Sequence, residues 1–220
     1  MIDKIKESYR QSINFYDDML TQKKWWSRLY MRLFWGNVDE KEIVKHVLDY
    51  IPSGFCGKLL DVPVGTGIFT YMKYQELKDA EIICLDYSKD MLAQADQRFN
   101  ATGLENVRTL QGDVSILPFE NSEFDVVLSM NGVHAFPYKE KAYSEIYRTL
   151  KIGGDFIACF YVKGKSLISD GLVNTILSRK GWFTPPFETA ESLRNRLDRN
   201  YDVLDYHIEG SMAYFKARKK

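Results

Sequence analysis

The sequence predicts an α/β fold built on a mostly parallel sheet, and three observations lead there. Short apolar runs alternate with helix-length segments. Three successive runs end in a carboxylate, at Asp61, Asp86 and Asp113. The chain closes with two strand-like runs joined by Glu209-Gly210-Ser211. Alternation of this kind calls for right-handed crossovers, which put helices on both faces of the sheet.

In chain order, residues 1–50 read as a helical N-terminal cap of mixed charge with many aromatics. Strands are expected at 58–62, 81–85, 106–111, 124–130 and 154–162, with helices near 66–78, 88–101 and 139–150. The apolar runs are continuous rather than alternating, as strands covered on both faces should be. Tyr201–Ile208 and Met212–Ala217 form the closing hairpin, which supplies a reversed last strand. No repeat or low-complexity linker divides the chain, so 1–220 is expected to be one domain, with 164–187 as a lid-like insertion.

The segment Leu60-Asp61-Val62-Pro63-Val64-Gly65-Thr66-Gly67 carries the most chemistry. A buried strand runs into a glycine turn, where Gly65 and Gly67 let the backbone approach a ligand that a Cβ would meet. Thr66 is expected to cap the helix that follows. Asp86 ends the next strand, where an acid in a nucleotide-binding domain accepts from ribose hydroxyls. Asp113 ends the third; a carboxylate there can accept from an exocyclic adenine amine while the Val114 N–H faces the ring. In an open sheet the ligand sits beyond the carboxyl ends of the strands, so Asp61, Asp86, Asp113 and Met130 should converge.

Composition narrows the function. Of 220 residues, 45% are hydrophobic, enough for a sizeable core, and 30 basic residues balance 30 acidic ones. Zero net charge disfavours tight nucleic-acid binding. Lys216, Arg218, Lys219 and Lys220 are expected to be a solvated tail. The three cysteines are scattered, and Cys84 and Cys159 fall in core strands, which fits a reducing, cytoplasmic setting. The three histidines show no metal-ligand spacing, so no metal is expected. The first residues are too charged for a signal peptide, and no apolar run is long enough to span a membrane.

These segments resemble the class I S-adenosylmethionine (SAM)-dependent methyltransferases, in the group related to the ubiquinone and menaquinone C-methyltransferases. The resemblance covers roughly Lys58 to Gly154. Asp61 to Gly67 is similar to that family's acidic, glycine-rich first motif. Leu85-Asp86-Tyr87-Ser88-Lys89-Asp90-Met91-Leu92 resembles its ribose-binding segment, and Gly112-Asp113-Val114 its adenine-binding segment. Phe124–Met130 resembles its fourth strand, and Glu145–Gly154 the helix leading into its fifth. Three positions depart from the pattern: Pro63 stands where the first glycine is usual, Ile152 where a proline is usual, and His134-Ala135 where a His-His pair is frequent.

The resemblance implies a Rossmann-like seven-stranded sheet with an antiparallel last strand. It also implies SAM as cofactor, with S-adenosylhomocysteine as product. The cofactor-binding residues expected are Asp61, Pro63, Gly65, Thr66, Gly67, Asp86, Tyr87, Met91, Asp113, Val114, Met130 and Asn131. Tyr9, Tyr16, Trp25 and Trp182 are candidates for an aromatic acceptor pocket, the alternative being that they pack the core. His134 is the candidate proton acceptor, the alternative being a structural histidine bonded within its loop. The expected partner is a small, partly apolar acceptor, with no nucleic acid and no membrane, in a monomer or homodimer. A non-catalytic SAM-binding sensor and a macromolecule-directed methyltransferase are the alternatives. An NAD(P) oxidoreductase fits less well, given Pro63, Asp113 and the terminal hairpin.

Overall fold

The structure is a computed structural model and describes residues 38–220. Helix α1 (Glu40–Asp49) precedes strand β1 (Lys58–Asp61), a short α2 (Tyr71–Tyr74), β2 (Glu81–Asp86), α3 (Lys89–Ala101) and β3 (Val107–Gln111). Next come β4 (Phe124–Met130), a 3-10 turn (Val133–Ala135), α4 (Lys139–Thr149) and β5 (Leu150–Tyr161). After α5 (Leu167–Leu172) and a π turn (Val173–Leu177), α6 (Ala190–Asn200) leads into β6 (Tyr201–Glu209) and β7 (Met212–Lys219).

The seven strands lie in the order β3-β2-β1-β4-β5-β7-β6. All neighbours are parallel except β7, which runs antiparallel to both β5 and β6. This is the mixed sheet expected from the sequence. Strand side chains alternate between faces. Leu59, Ile82, Leu128 and Ile157 therefore join α1 and Phe99 on one side. Leu60, Ile83, Val127 and Phe156 join Ile146 and Leu193 on the other. Each such side chain, fully buried, contributes roughly 1.5–3 kcal/mol.

From β1 the chain moves outward through β2 to β3; from β4 it moves the other way. The carboxyl ends of β1 and β4 therefore flank the switch point where a crevice opens. Helix α3 starts cleanly, with Ser88 Oγ accepting from Met91 N at 3.3 Å.

Two expectations fail. The helix expected over 66–78 is reduced to α2, and Thr66 does not cap it; Thr70 is the residue before it, without a side-chain cap bond. Successive turns from Val64 to Thr70 use up the first part of that segment, with Gly67 at φ +68°. The basic C-terminus is no solvated tail. It is strand β7, in which Lys216 and Arg218 pair with Asp155 and the buried Lys219 Nζ donates to Tyr147 O and Leu150 O.

Candidate active site

A cavity opens over the carboxyl ends of β1, β2 and β4, and the residues entering it follow from the strand ends. Pro63, Gly65 and Thr66 come from the turn after β1. Asp86, Tyr87 and Met91 come from the end of β2 and the start of α3. Asp113 and Val114 follow β3, and Met130 and Asn131 end β4.

Asp86 organises one wall. Its Oδ2 accepts from Gly65 N and its Oδ1 from Ser88 N, both at 2.8 Å. The carboxylate thus holds the glycine turn and the α3 start together, with further lone pairs on each oxygen. Burial pushes its pKa up to about 6, against the lowering effect of these backbone donors. Gly65 sits at φ +58°, and an added Cβ would meet no atom within 4 Å, so the turn leaves open space at the cavity. Asp113 Oδ1 accepts from Ser115 N at 2.8 Å and from Ser115 Oγ at 2.7 Å, which fixes its orientation.

Asn131 adopts φ +53°, donates from its backbone N to Cys159 O at 2.8 Å, and from Nδ2 to Glu40 Oε1 at 3.2 Å. The buried Glu40 thereby ties α1 to the cavity. The remaining wall is apolar: Ile68, Phe69, Phe136 and Pro137. Lys139 Nζ holds that wall by donating to Phe136 O at 2.9 Å and also bonding Thr184 O.

Four expected site residues stand elsewhere among the described residues. Asp61 is 1% exposed and lies behind the cavity, not in its lining. Its Oδ2 accepts from Tyr74 Oη at 2.7 Å and Thr70 Oγ1 at 3.3 Å, while its Oδ1 is buried with no hydrogen-bond partner among the described residues. Burial raises its pKa to about 7, although the two hydroxyl donors pull it down. Gly67 is also outside the lining, and its missing Cβ makes room for Phe99, whose Cζ would lie 2.7 Å away. Its service is to packing.

His134 is the third. It is buried, its Nδ1 accepts from Tyr161 N at 3.3 Å, and its ring stacks on Phe183 at 4.1 Å. Burial, with the nearby Lys139 charge, drives its pKa down to about 3. It is a buried imidazole behind the cavity lining, engaged with the backbone of β5.

Trp182 is likewise packed in the core and is not among the described lining residues of the cavity. The second half of segment 164–187 packs against the core. Val173, Leu177, Trp182 and Phe183 are buried, and Thr184 N donates to His134 O at 3.0 Å. Tyr9, Tyr16 and Trp25 lie outside the described residues.

A family model described as a methyltransferase domain matches residues 59–154, the stretch that supplies the strand-end acids and the glycine turn. That stretch of the chain is similar to a methyltransferase domain. The demethylmenaquinone methyltransferase of Thermus thermophilus is 38% identical over 100 residues, 46% of this chain and 45% of that protein. Matched stretches span only 36–45% of the first relatives' own lengths. Among solved structures, geranyl diphosphate methyltransferase in complex with SAM has TM-score 0.67 at 16% identity, covering 82% of this chain and 86% of that one. The [4+2]-cyclase SpnF also has TM-score 0.67, at 19% identity over 81% of each chain. At these identities the structural likeness establishes the methyltransferase fold alone. No helix among the described residues is long and apolar enough to cross a membrane.

Proposed function

We propose that this methyltransferase acts on a small, partly apolar acceptor that arrives already nucleophilic. The carrying observation is the make-up of the cavity. Strand-end carboxylates line one side, and Ile68, Phe69, Phe136 and Pro137 line the other, with no imidazole, amine or thiol among its described lining residues.

The residues present fit the cofactor. Asp86 keeps lone pairs for ribose hydroxyls while Gly65 N and Ser88 N hold it in place. Asp113 is oriented to accept from the adenine amine, with Val114 beside it. The open space at Gly65 admits a ligand close to the backbone. When bound, SAM supplies a methyl group activated by its positive sulfonium.

The chain's own part is to bind, align and exclude water. Alignment alone supplies a large share of the acceleration of a two-partner reaction. The apolar wall keeps water from the reacting atoms. A proton acceptor is needed only where the acceptor must lose a proton. With His134 buried, neutral and bonded to Tyr161 N, a thiolate, a free amine or an electron-rich ring carbon suits the described wall. The demethylmenaquinone relative and the geranyl diphosphate enzyme carry names of partly apolar acceptors, which favours the same class here.

The test is methyl transfer from SAM labelled in its methyl group to hydroquinones, prenyl diphosphates, thiols and amines, with S-adenosylhomocysteine release followed in parallel. The expected result is labelled product from an apolar acceptor. Tight S-adenosylhomocysteine binding with no turnover on any acceptor would favour the second reading, a non-catalytic binding protein.

A further inference from the structure

Two of the chain's three histidines, far apart in sequence, converge on one carboxylate at the end of the sheet opposite β3. His46 is in the last turn of α1. Asp205 and His207 are two apart on β6, the outer strand, so their side chains share a face. His46 Nε2 is 3.6 Å from Asp205 Oδ2, and His207 Nε2 is 2.7 Å from Asp205 Oδ1. The candidate ligand atoms of the three residues all lie within 4.8 Å of one another. Ligands sharing one tetrahedral ion at bonds of about 2.0–2.2 Å sit roughly 3.3 Å apart. Small side-chain rotations therefore bring this set to ligating distance without moving backbone.

The surroundings hold the three groups in place. Tyr50 Oη donates to Asp205 Oδ2 at 2.8 Å, the kind of outer hydrogen bond that orients a ligating carboxylate. His207 stacks on Tyr214 at 4.9 Å, and His46 meets Tyr50 edge-on at 5.2 Å. The side chains keep 36–45% exposure, so an ion and completing waters can enter from solvent. A simple histidine–carboxylate pair accounts for one imidazole. It does not account for a second one brought to the same carboxylate from another element.

We propose that His46, Asp205 and His207 form a binding site for a divalent transition-metal ion of the zinc or nickel type, clipping α1 to the terminal hairpin. Two nitrogen donors and one carboxylate oxygen suit those ions, whereas magnesium and calcium take oxygen donors. All three residues lie outside the stretch matched by the family model, and none lines the cofactor cavity. The site is thus separate from the methyltransferase chemistry.

The test uses the full chain without a polyhistidine tag, stripped with chelator, titrated calorimetrically with zinc, nickel and magnesium chlorides. Expected are one zinc or nickel ion bound per chain, a rise in melting temperature with either, and no response to magnesium. His46→Gln and His207→Gln should each weaken binding roughly tenfold or more while leaving the metal-free melting temperature near wild type. If either unfolds, Asp205→Asn, which keeps an acceptor for Tyr50, serves in its place with the same loss expected. Cys56→Ser, removing the exposed thiol, should leave binding unchanged. Absence of stoichiometric binding, or binding untouched by the histidine and aspartate variants or abolished by Cys56→Ser, would overturn the proposal.

Discussion

Gly132 lies directly against the ring of Pro63: a Cβ at position 132 would sit 2.0 Å from Pro63 Cδ and 2.6 Å from Pro63 Cγ. Pro63 stands where the family's first glycine is usual, and the missing side chain at 132 makes room for its ring. The two residues meet in the wall of the cavity, at the ends of β1 and β4. Gly132→Ala should therefore cost about 1–3 kcal/mol of stability, the size of an overpacking penalty. Pro63→Gly in the same chain should recover most of it. Urea unfolding of the two single variants and the double variant gives the coupling directly; additive losses would contradict the compensation.

Asp86→Ala removes the acceptor that holds Gly65 N and Ser88 N. Affinity for S-adenosylhomocysteine should fall by about 1–3 kcal/mol, as for hydrogen bonds to a charged group. Calorimetry on protein shown to be folded checks this. An unchanged dissociation constant would remove Asp86 from the site.

Asp61 links the site to pH. Burial raises its folded pKa to about 7 from an ordinary 3.8. A raised pKa means the folded chain holds the proton more tightly than the unfolded one. The resulting stabilisation is full below about pH 4 and is lost as pH rises to about 7. Asp61→Asn removes this dependence while keeping an acceptor for Tyr74. The variant should gain on wild type by about 1.4 kcal/mol per pH unit within that window. Urea midpoints of both proteins at pH 4.5, 6 and 8, on the order of these values, test it. A constant difference would show that Asp61 does not titrate there.

His134→Gln should act on the fold. It disturbs the acceptor for Tyr161 N and the stack on Phe183. A stability loss of about 1–3 kcal/mol is expected, with S-adenosylhomocysteine affinity and turnover per folded molecule preserved. A stable, cofactor-binding, inactive variant would support the catalytic assignment.

The sheet was legible because strand signals are local: apolar runs such as Ile82-Ile83-Cys84-Leu85 end in an acid, and Gly210 marks the hairpin. The same locality made Asp86, Asp113, Gly65 and Met130 readable as cavity residues. Phe69, Gly132, Phe136 and Pro137 were missed. They line the cavity through the paths of loops, which no periodicity encodes. Asp61 carried the right motif signal but sits one layer deeper, its carboxylate committed to Tyr74 and Thr70. The aromatic content of 164–187 fits a lid or a core, and Trp182 and Phe183 are buried. His46 and His207 showed no metal-ligand spacing, because α1 and β6 meet only in the folded chain.

The cofactor cavity is tested most directly by calorimetric titration of the folded protein with S-adenosylhomocysteine, wild type beside Asp86→Ala and Asp113→Ala. Expected are one site per chain in wild type and weaker binding in both variants, by about 1–3 kcal/mol each. Folded wild-type protein that binds neither S-adenosylhomocysteine nor SAM, or that binds equally well without either carboxylate, would contradict the assignment of this cavity.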